Sequence, residues 1–334
     1  MAGKTYRASG VDLDAAANVK ELFKPHVRST YGPQVLNDTG LFGGLFQLKG
    51  YRDPVLVAST DGVGTKLKLA VWMDRFDTLG HDVVNQSVND VLTTGARPLF
   101  FLDYIAVETL VPDQLEALVK GMAIACRMAD CALLGGETAQ LSGTFKEGSF
   151  ELAGFVVGAA EREALLEPSS VREGDALLAL PSSGLHTNGY SLVRTVFNLE
   201  EDPSPLTDYH AELGRTLGEA LIEPHRPYYP LLEPVLPLIK AMAHITGGGL
   251  TENLSRVIPH DLDGQVDWET WEVPAIFRLI QEKGNIAGDE MERVFNLGVG
   301  MVLVCSPERA AEVERLIPEA WVVGKVAGSP AIRR

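Results

Sequence analysis

Pro54-Val-Leu-Val-Ala-Ser-Thr-Asp-Gly-Val-Gly-Thr-Lys66 decides how the rest of the chain is read. Residues 54–60 are an apolar run of strand length; it ends in Asp61, two glycines and a lysine, and a helix is expected from about Leu67. A strand that carries a carboxylate and a glycine turn to a helix start is how sheet-and-helix scaffolds build ligand loops. The plan recurs along the chain. A helix is expected over roughly 80–94, and residues 99–107 read as a strand by their aromatics and β-branching. Residues 113–129 place Leu115, Leu118, Val119, Met122 and Cys126 at helical spacing behind Pro112-Asp113. Cys131-Ala-Leu-Leu134 then runs as a strand into a Gly135-Gly136-Glu137-Thr138 loop, and 149–160 gives a further strand. Glu167-Pro-Ser-Ser170 reads as a seam. Past it, 176–180 is a strand ending in Ser182-Ser-Gly-Leu-His-Thr-Asn-Gly189, and His244-Ile-Thr-Gly-Gly-Gly249 precedes a helix. A strand over 299–305, a helix over 307–316 and a strand over 320–326 close the chain, whereas 200–237, rich in proline and charge, has no clear period. No internal repeat appears.

The chain has 334 residues, which at about 150 per domain gives two domains. The expected architecture is α/β or α+β, with boundaries at 1–168 and 169–334. Acidic residues outnumber basic ones by 45 to 29, and the resulting charge of −16 repels a nucleic-acid backbone. A phosphorylated small molecule stays admissible, because a bound divalent cation inverts the local field. Three cysteines without CxxC spacing exclude a disulfide framework and a structural zinc site, and point to a reducing cytoplasm. The opening MAGKTYRASG lacks the apolar core of an export signal, and no apolar run approaches the ~18 residues of a membrane span.

The generic signatures fail in an informative way. Asp61-Gly-Val-Gly-Thr-Lys66 fits neither the P-loop nor the dinucleotide fingerprint, and neither H-E-x-x-H nor G-x-S-x-G occurs. What stands out is a set of carboxylates at strand ends and a polar stripe, Asp82, Gln86, Asn89 and Asp90, on an otherwise apolar helix. Burying such a stripe is costly unless something pairs with it. Asp61, Asp90 and Glu137 are the oxygen ligands a hard cation such as Mg²⁺ would take beside substrate phosphates, although Asp90 can equally cap or face water. Gly62 and Gly64 admit backbone N–H groups to a phosphate with Lys66 as a point charge, or serve only as a tight turn. Gly247, Gly248 and Gly249 suit an anion at a helix start, or close packing. Thr39-Gly-Leu-Phe-Gly-Gly-Leu-Phe46 combines hinges with apolar anchors, as a lid or an ordinary loop does. His186 and His244 stand out among seven histidines because both lie in glycine-rich segments after apolar runs.

In this order, Ser59–Leu67, Ser87-Val-Asn-Asp90, Pro98-Leu-Phe-Phe-Leu-Asp-Tyr104, Gly135-Gly-Glu-Thr138, 182–194 and 244–249 resemble the phosphoribosylformylglycinamidine cyclo-ligase family of purine biosynthesis. The resemblance runs over nearly the whole chain. It implies an ATP-dependent ring closure in which the formyl oxygen is phosphorylated, a two-domain fold, and a homodimer whose amino-terminal sheets join in a barrel. The second domain then completes the cleft for ATP and substrate. It implies ATP and Mg²⁺, with a monovalent cation as a further candidate. By resemblance Asp61, Asp90 and Glu137 handle metal and phosphate, and Lys24 is a cation carried by a mobile segment, 1–45. Gly62, Gly64, Thr65, Lys66, Gly135, Gly136, Asn188, Gly247 and Gly248 bind the nucleotide, His186 transfers a proton or orients the amide, and His244 contacts substrate or phosphate. The chain departs from the pattern at Gln140 and Ser142, and where the family has Pro-Thr-Arg-Ile-Tyr-Val-Lys it reads Pro224-His-Arg-Pro-Tyr-Tyr-Pro230. A thiamine-monophosphate kinase or selenophosphate synthetase would use the same platform, but the latter's amino-terminal cysteine is absent, since the first cysteine is Cys126. A non-catalytic nucleotide-binding dimer would be expected to lack one of the three carboxylates.

Overall fold

The computed structural model describes residues 12–146 and 148–328. One compact unit closes at Ala159; the other opens at Ala160 and takes in Leu92–Ala96. In the first unit, strands β1 (Pro54–Gly62), β2 (Arg97–Val107), β3 (Ala132–Gln140) and β4 (Phe150–Glu161) form a sheet in the order β1-β4-β2-β3. Strand β2 is parallel to β3 and antiparallel to β4. Helices α1 (Leu13–Arg28), α2 (Leu67–Met73), α3 (Asp77–Leu92) and α4 (Pro112–Met128) belong to the same unit.

The pleat of the strands sorts the sheet into two faces. Leu152, Gly154, Val156 and Gly158 of β4 are buried, and a Cβ on Gly158 would stand 2.5 Å from Val91 of α3. That is the helix-covered face. Helices α3 and α4 cross there at backbone contact, because a Cβ on Gly80 would lie 2.2 Å from the Leu118 carbonyl oxygen and one on Gly121 2.2 Å from that of Asp77. The opposite face leaves Leu56, Tyr104 and Phe155 exposed by 63%, 43% and 39%.

In the second unit, β5 (Ala176–Pro181), β8 (Ala241–His244), β9 (Leu262–Val266), β10 (Val299–Cys305) and β11 (Trp321–Gly328) form a sheet in the order β8-β10-β5-β11-β9. Strands β6 (Tyr209–His210) and β7 (Arg215–Thr216) make a separate short hairpin. Every residue of β10 is buried, which is why its sequence reads as an unbroken apolar run. The core joins Leu177, Ala179, Val302, Val304 and Val323 to Leu250, Leu254 and Ile258. Seven helices complete this unit among the described residues: α5 (Tyr190–Val196), α6 (Leu217–Leu221), α7 (Tyr229–Leu232), α8 (Gly249–Ser255), α9 (Ala275–Gly284), α10 (Gly288–Val294) and α11 (Pro307–Leu316).

One expectation is narrowed and one changes. Every strand pair in the second sheet is antiparallel, which narrows the expected α/β or α+β architecture to α+β. Gly135-Gly136-Glu137-Thr138 lies inside β3 and not in a loop. Gly136 is needed there because a Cβ would stand 2.2 Å from Asp103 Oδ1 of the neighbouring strand. Of the segment 1–45, expected as a mobile cover, residues 12–45 make contacts within the first unit. Val19 of α1 is buried, His26 Nε2 lies 3.1 Å from Glu116 Oε1, and the Leu133 N–H donates to Thr30 Oγ1 at 2.9 Å. Next to this segment, Phe46 packs on Phe100 with ring centroids 5.5 Å apart, while Leu41 and Phe42 within it stay exposed. Its first residues, 1–11, lie outside the described part. Among the described residues, no helix is long and apolar enough to cross a membrane.

Candidate functional site

The end of β1 is organised by the polar stripe of α3, one residue per turn. Lys66 Nζ meets the two oxygens of Asp82 at 2.9 and 2.8 Å with both side chains fully buried. One turn later, Gln86 Nε2 donates to the Gly62 carbonyl at 3.3 Å, and after one more turn Asp90 Oδ2 accepts from Ser59 Oγ at 3.1 Å. The partner that the stripe requires is thus the strand end and its glycine turn. Lys66, expected at a phosphate, is turned inward to Asp82. A buried pair of this kind fixes geometry more than it adds stability.

Gly64 has φ +67°, a conformation glycine enters without strain, and nothing lies within 4 Å of where its Cβ would be. It begins a single 3-10 turn, Gly64–Lys66, that leads into α2, leaving Asp61, Gly64 and Thr65 at the surface. The Gly62 N–H donates to Asp61 Oδ1 at 2.8 Å. Strand alternation places Asp61 on the face of Ser59, hence on the side of Asp90. Two carboxylates, a hydroxyl and a backbone carbonyl make an all-oxygen donor set that fits Mg²⁺.

Glu137 is not brought to this pair. It is in register with Tyr104 on the open face, and its strand is the other edge of the sheet, with two strands between it and β1. Three strand spacings amount to ~14 Å. Gly135 and Gly136 share that strand interior. Beside Glu137, burial and then the Glu137 charge push the Asp103 carboxyl up to about 7. Lys24 lies on α1 with Nζ 2.5 Å from Glu21 Oε1. A cleft of about 340 Å³ in this unit is lined by Thr30, Gln34, Phe46, Lys49, Arg97 and Asp130 among others, and includes neither Asp61 nor Asp90.

In the second unit, His186 and His244 converge, and sequence reading missed the residue that joins them. His225 Nε2 lies 2.9 Å from His244 Nε2, and the His225 ring stacks on His186 with centroids 4.0 Å apart. All three are buried. The one signal in the sequence was a histidine where the resembled family has threonine, within the proline-rich stretch whose structure the sequence left open. Asn188 approaches the glycine turn, since a Cβ on Gly247 would stand 3.4 Å from its Oδ1. The Asn253 side-chain amide donates to the carbonyls of Thr246, Gly247 and Gly249 at 3.3, 3.2 and 2.8 Å, which accounts for the shape of this turn. Gly249, with φ +66°, would carry a Cβ 1.8 Å from the Glu292 carbonyl oxygen, so only glycine fits. Cys126, Cys131 and Cys305 are free and buried, and burial raises the Cys126 and Cys305 thiols.

The family model described as "AIR synthase related protein, N-terminal domain" matches residues 45–160, and "AIR synthase related protein, C-terminal domain" matches 172–334. The chain is 49% identical over 337 residues to "Phosphoribosylformylglycinamidine cyclo-ligase" of Desulfitobacterium hafniense, covering 98% of this chain and 97% of the relative. It is 48% identical over 332 residues to the protein of the same name from Geobacillus kaustophilus, covering 97% and 96%. Among solved structures, thiamine-monophosphate kinase from Stenotrophomonas maltophilia has a TM-score of 0.65 at 16% identity, covering 92% of this chain and 94% of that one. Hydrogenase maturation protein HypE in complex with ATP has a TM-score of 0.65 at 20% identity, covering 98% and 88%. At such identities the likeness is one of fold.

Proposed function

This chain belongs to the AIR synthase family, and from that premise we infer that it uses ATP to cyclise formylglycinamidine ribonucleotide to aminoimidazole ribonucleotide in purine biosynthesis. The observation that carries this reading is near-half identity over nearly the full length to curated cyclo-ligases. An amide oxygen is a poor leaving group. Attack of the formyl oxygen on the γ-phosphorus releases ADP and leaves an iminophosphate; the amidine nitrogen then bonds to the formyl carbon, the C–O bond breaks, phosphate departs and the nitrogen loses its proton. Catalysis of this kind rests on positioning and on neutralising phosphoryl charge.

Asp61 and Asp90 are the proposed ligands of Mg²⁺, which when bound with ATP would supply charge neutralisation at the phosphates. Gly62, Gly64 and Thr65 offer backbone and hydroxyl donors to the phosphates, and Lys66 acts through Asp82 by fixing the turn. Glu137 stands too far from this pair within one subunit to share its ion, so such a role requires a second copy. The open edges of β1 and β3 and the exposed Leu56, Tyr104 and Phe155 support a homodimer, with the two sheets closing into a barrel. His186 is proposed for proton transfer or amide orientation and His244 for substrate contact, with Asn188, Gly247 and Gly248 beside them. Lys24 is proposed as a cation at the phosphates once released from Glu21. In this reading the amino-terminal domain binds ATP and dimerises, and the carboxy-terminal domain takes the phosphorylated substrate.

Substrate labelled with heavy oxygen at the formyl group tests both the activity and its route. With ATP and Mg²⁺, ADP, the imidazole product and labelled phosphate should appear in equal amounts. Absence of ring closure would overturn the activity. Ring closure with unlabelled phosphate, solvent exchange being controlled, would overturn the route.

A further inference from the structure

We propose that His186, His225 and His244 form a binding site for one divalent transition-metal ion of the zinc class, separate from the Mg²⁺ that accompanies ATP. The three side chains arrive from different places: the loop after β5, the stretch before α7 and the end of β8. Their ligand nitrogens all lie within 4.8 Å of one another, and all three residues are buried. Nitrogens on one tetrahedral ion at ~2.05 Å stand roughly 3.3 Å apart. The 2.9 Å between His225 Nε2 and His244 Nε2 therefore needs to open by only a few tenths of an ångström.

The surroundings favour ligands in the neutral form. The Ser183 N–H donates to His186 Nε2 at 3.2 Å, so that nitrogen carries the ring's one lone pair, which an ion would take in place of the N–H. Thr187 Oγ1 stands 3.4 Å from His225 Nδ1, where it can accept a hydrogen bond from that nitrogen and so keep the ring's lone pair on Nε2, as outer-shell partners of metal-bound histidines do. His186 is held at φ +60°, a costly conformation for a non-glycine residue, in a loop fastened by Asn296 to Ser182 and Gly184. Three imidazoles with no carboxylate among them select Zn²⁺, Co²⁺ or Ni²⁺ and offer little to Mg²⁺. The His186 and His225 rings, now 22° from parallel, must splay for both to point at one ion. His225 stands where the pattern of the resembled family, Pro-Thr-Arg, has threonine.

The test uses the full-length protein, stripped with chelator and titrated with Co²⁺ and Zn²⁺. One ion per chain is expected, with the visible absorption of tetrahedral Co²⁺ and an X-ray absorption signature of three imidazoles. The His225→Thr substitution should weaken binding about 100-fold or more while the melting curve stays cooperative. Wild-type protein that binds neither ion, fewer than three imidazoles on the bound ion, or equal affinity in His225→Thr would each overturn the site. The wild-type spectra decide the matter even if the variant fails to fold. Because the readout is binding, the test does not depend on turnover, and an ion held here would take the His186 and His244 lone pairs in place of the proton-transfer and contact roles proposed for them.

Discussion

Asp90, on α3, accepts a hydrogen bond from Ser59, which shares a strand face with Asp61, so the charge and the shape of Asp90 can be separated by one substitution. Asn in its place keeps the volume and an acceptor for the Ser59 hydroxyl, and removes the charge. Asp90→Asn is therefore expected to lower kcat by about 100-fold or more, the several kcal/mol that metal-assisted charge stabilisation supplies, while Tm moves by less than about 2 °C. Wild-type turnover with unaltered Mg²⁺ dependence would remove Asp90 from the site. Asp103 makes a prediction of the opposite kind. Its carboxyl titrates near 3.8 in an unfolded chain and at about 7 in the folded one, raised first by burial and then by the Glu137 charge. Between those values the folded state holds the extra proton, so this contribution to stability is complete below pH 4 and is lost as pH rises through 7. Asp103→Asn cannot ionise. It should be more stable than the parent at pH 8 by up to about 4 kcal/mol, with the advantage shrinking steadily toward pH 5. Denaturant titrations across that range measure it, and a difference independent of pH would show that Asp103 is already ionised in the folded protein.

Helices α3 and α4 are positioned by what Gly80 and Gly121 lack. Gly121→Ala would set a methyl 2.2 Å from the Asp77 carbonyl oxygen, so the helices must part, at a cost of roughly 2–3 kcal/mol. The control is Gly288→Ala at the start of α10, where a Cβ meets nothing within 4 Å and a change under about 0.5 kcal/mol is expected. Equal melting temperatures for the two variants would mean that the crossing is not backbone-limited. These contacts also explain what a sequence can show about an element. The 299–305 strand and 307–316 helix were legible to the residue, because an apolar run and a helical period bounded by Pro307 are local signals. The stripe on α3 was legible as something needing partners, but nothing in its spacing identified Lys66, Gly62 and Ser59. The Gly135-Gly136 pair was misread as a loop because its reason for being glycine, the approach of Asp103, lies on another strand. Between 200 and 237 the elements are too short to carry a period. They are held instead by the Thr216 and Glu219 capping box on α6 and by the Tyr228 hydroxyl donating to the Pro181 carbonyl at 2.8 Å. His225 sits in that stretch, which is why its convergence with His186 and His244 could not be read.

On the scale of the whole molecule, the first unit's sheet poses a problem that one chain does not solve. Its open face carries Leu56, Tyr104 and Phe155, each more than a third exposed, and the sheet ends at edge strands β1 and β3. Isolated apolar residues on a surface are ordinary, but these lie on one face of one sheet, between edges that pair with no further strand among the described residues. A second copy laid against that face would cover the side chains and extend the hydrogen bonding, and a stable interface of this kind buries ~1,600 Å². The same step bears on chemistry, because Asp61 and Glu137 stand on opposite edges and opposite faces of one sheet and can serve a common phosphate site only across a subunit boundary. The Leu56→Lys, Phe155→Lys double variant separates these ideas. Both side chains are exposed in the single chain, so the substitutions should leave its melting transition within about 1 kcal/mol of the parent's stability. Light scattering at micromolar concentration should then report a dimer for the parent and a monomer for the variant, with turnover lost alongside. A parent that is monomeric would end the dimer proposal, and a variant that is monomeric yet fully active would show that Glu137 has no part in a shared site.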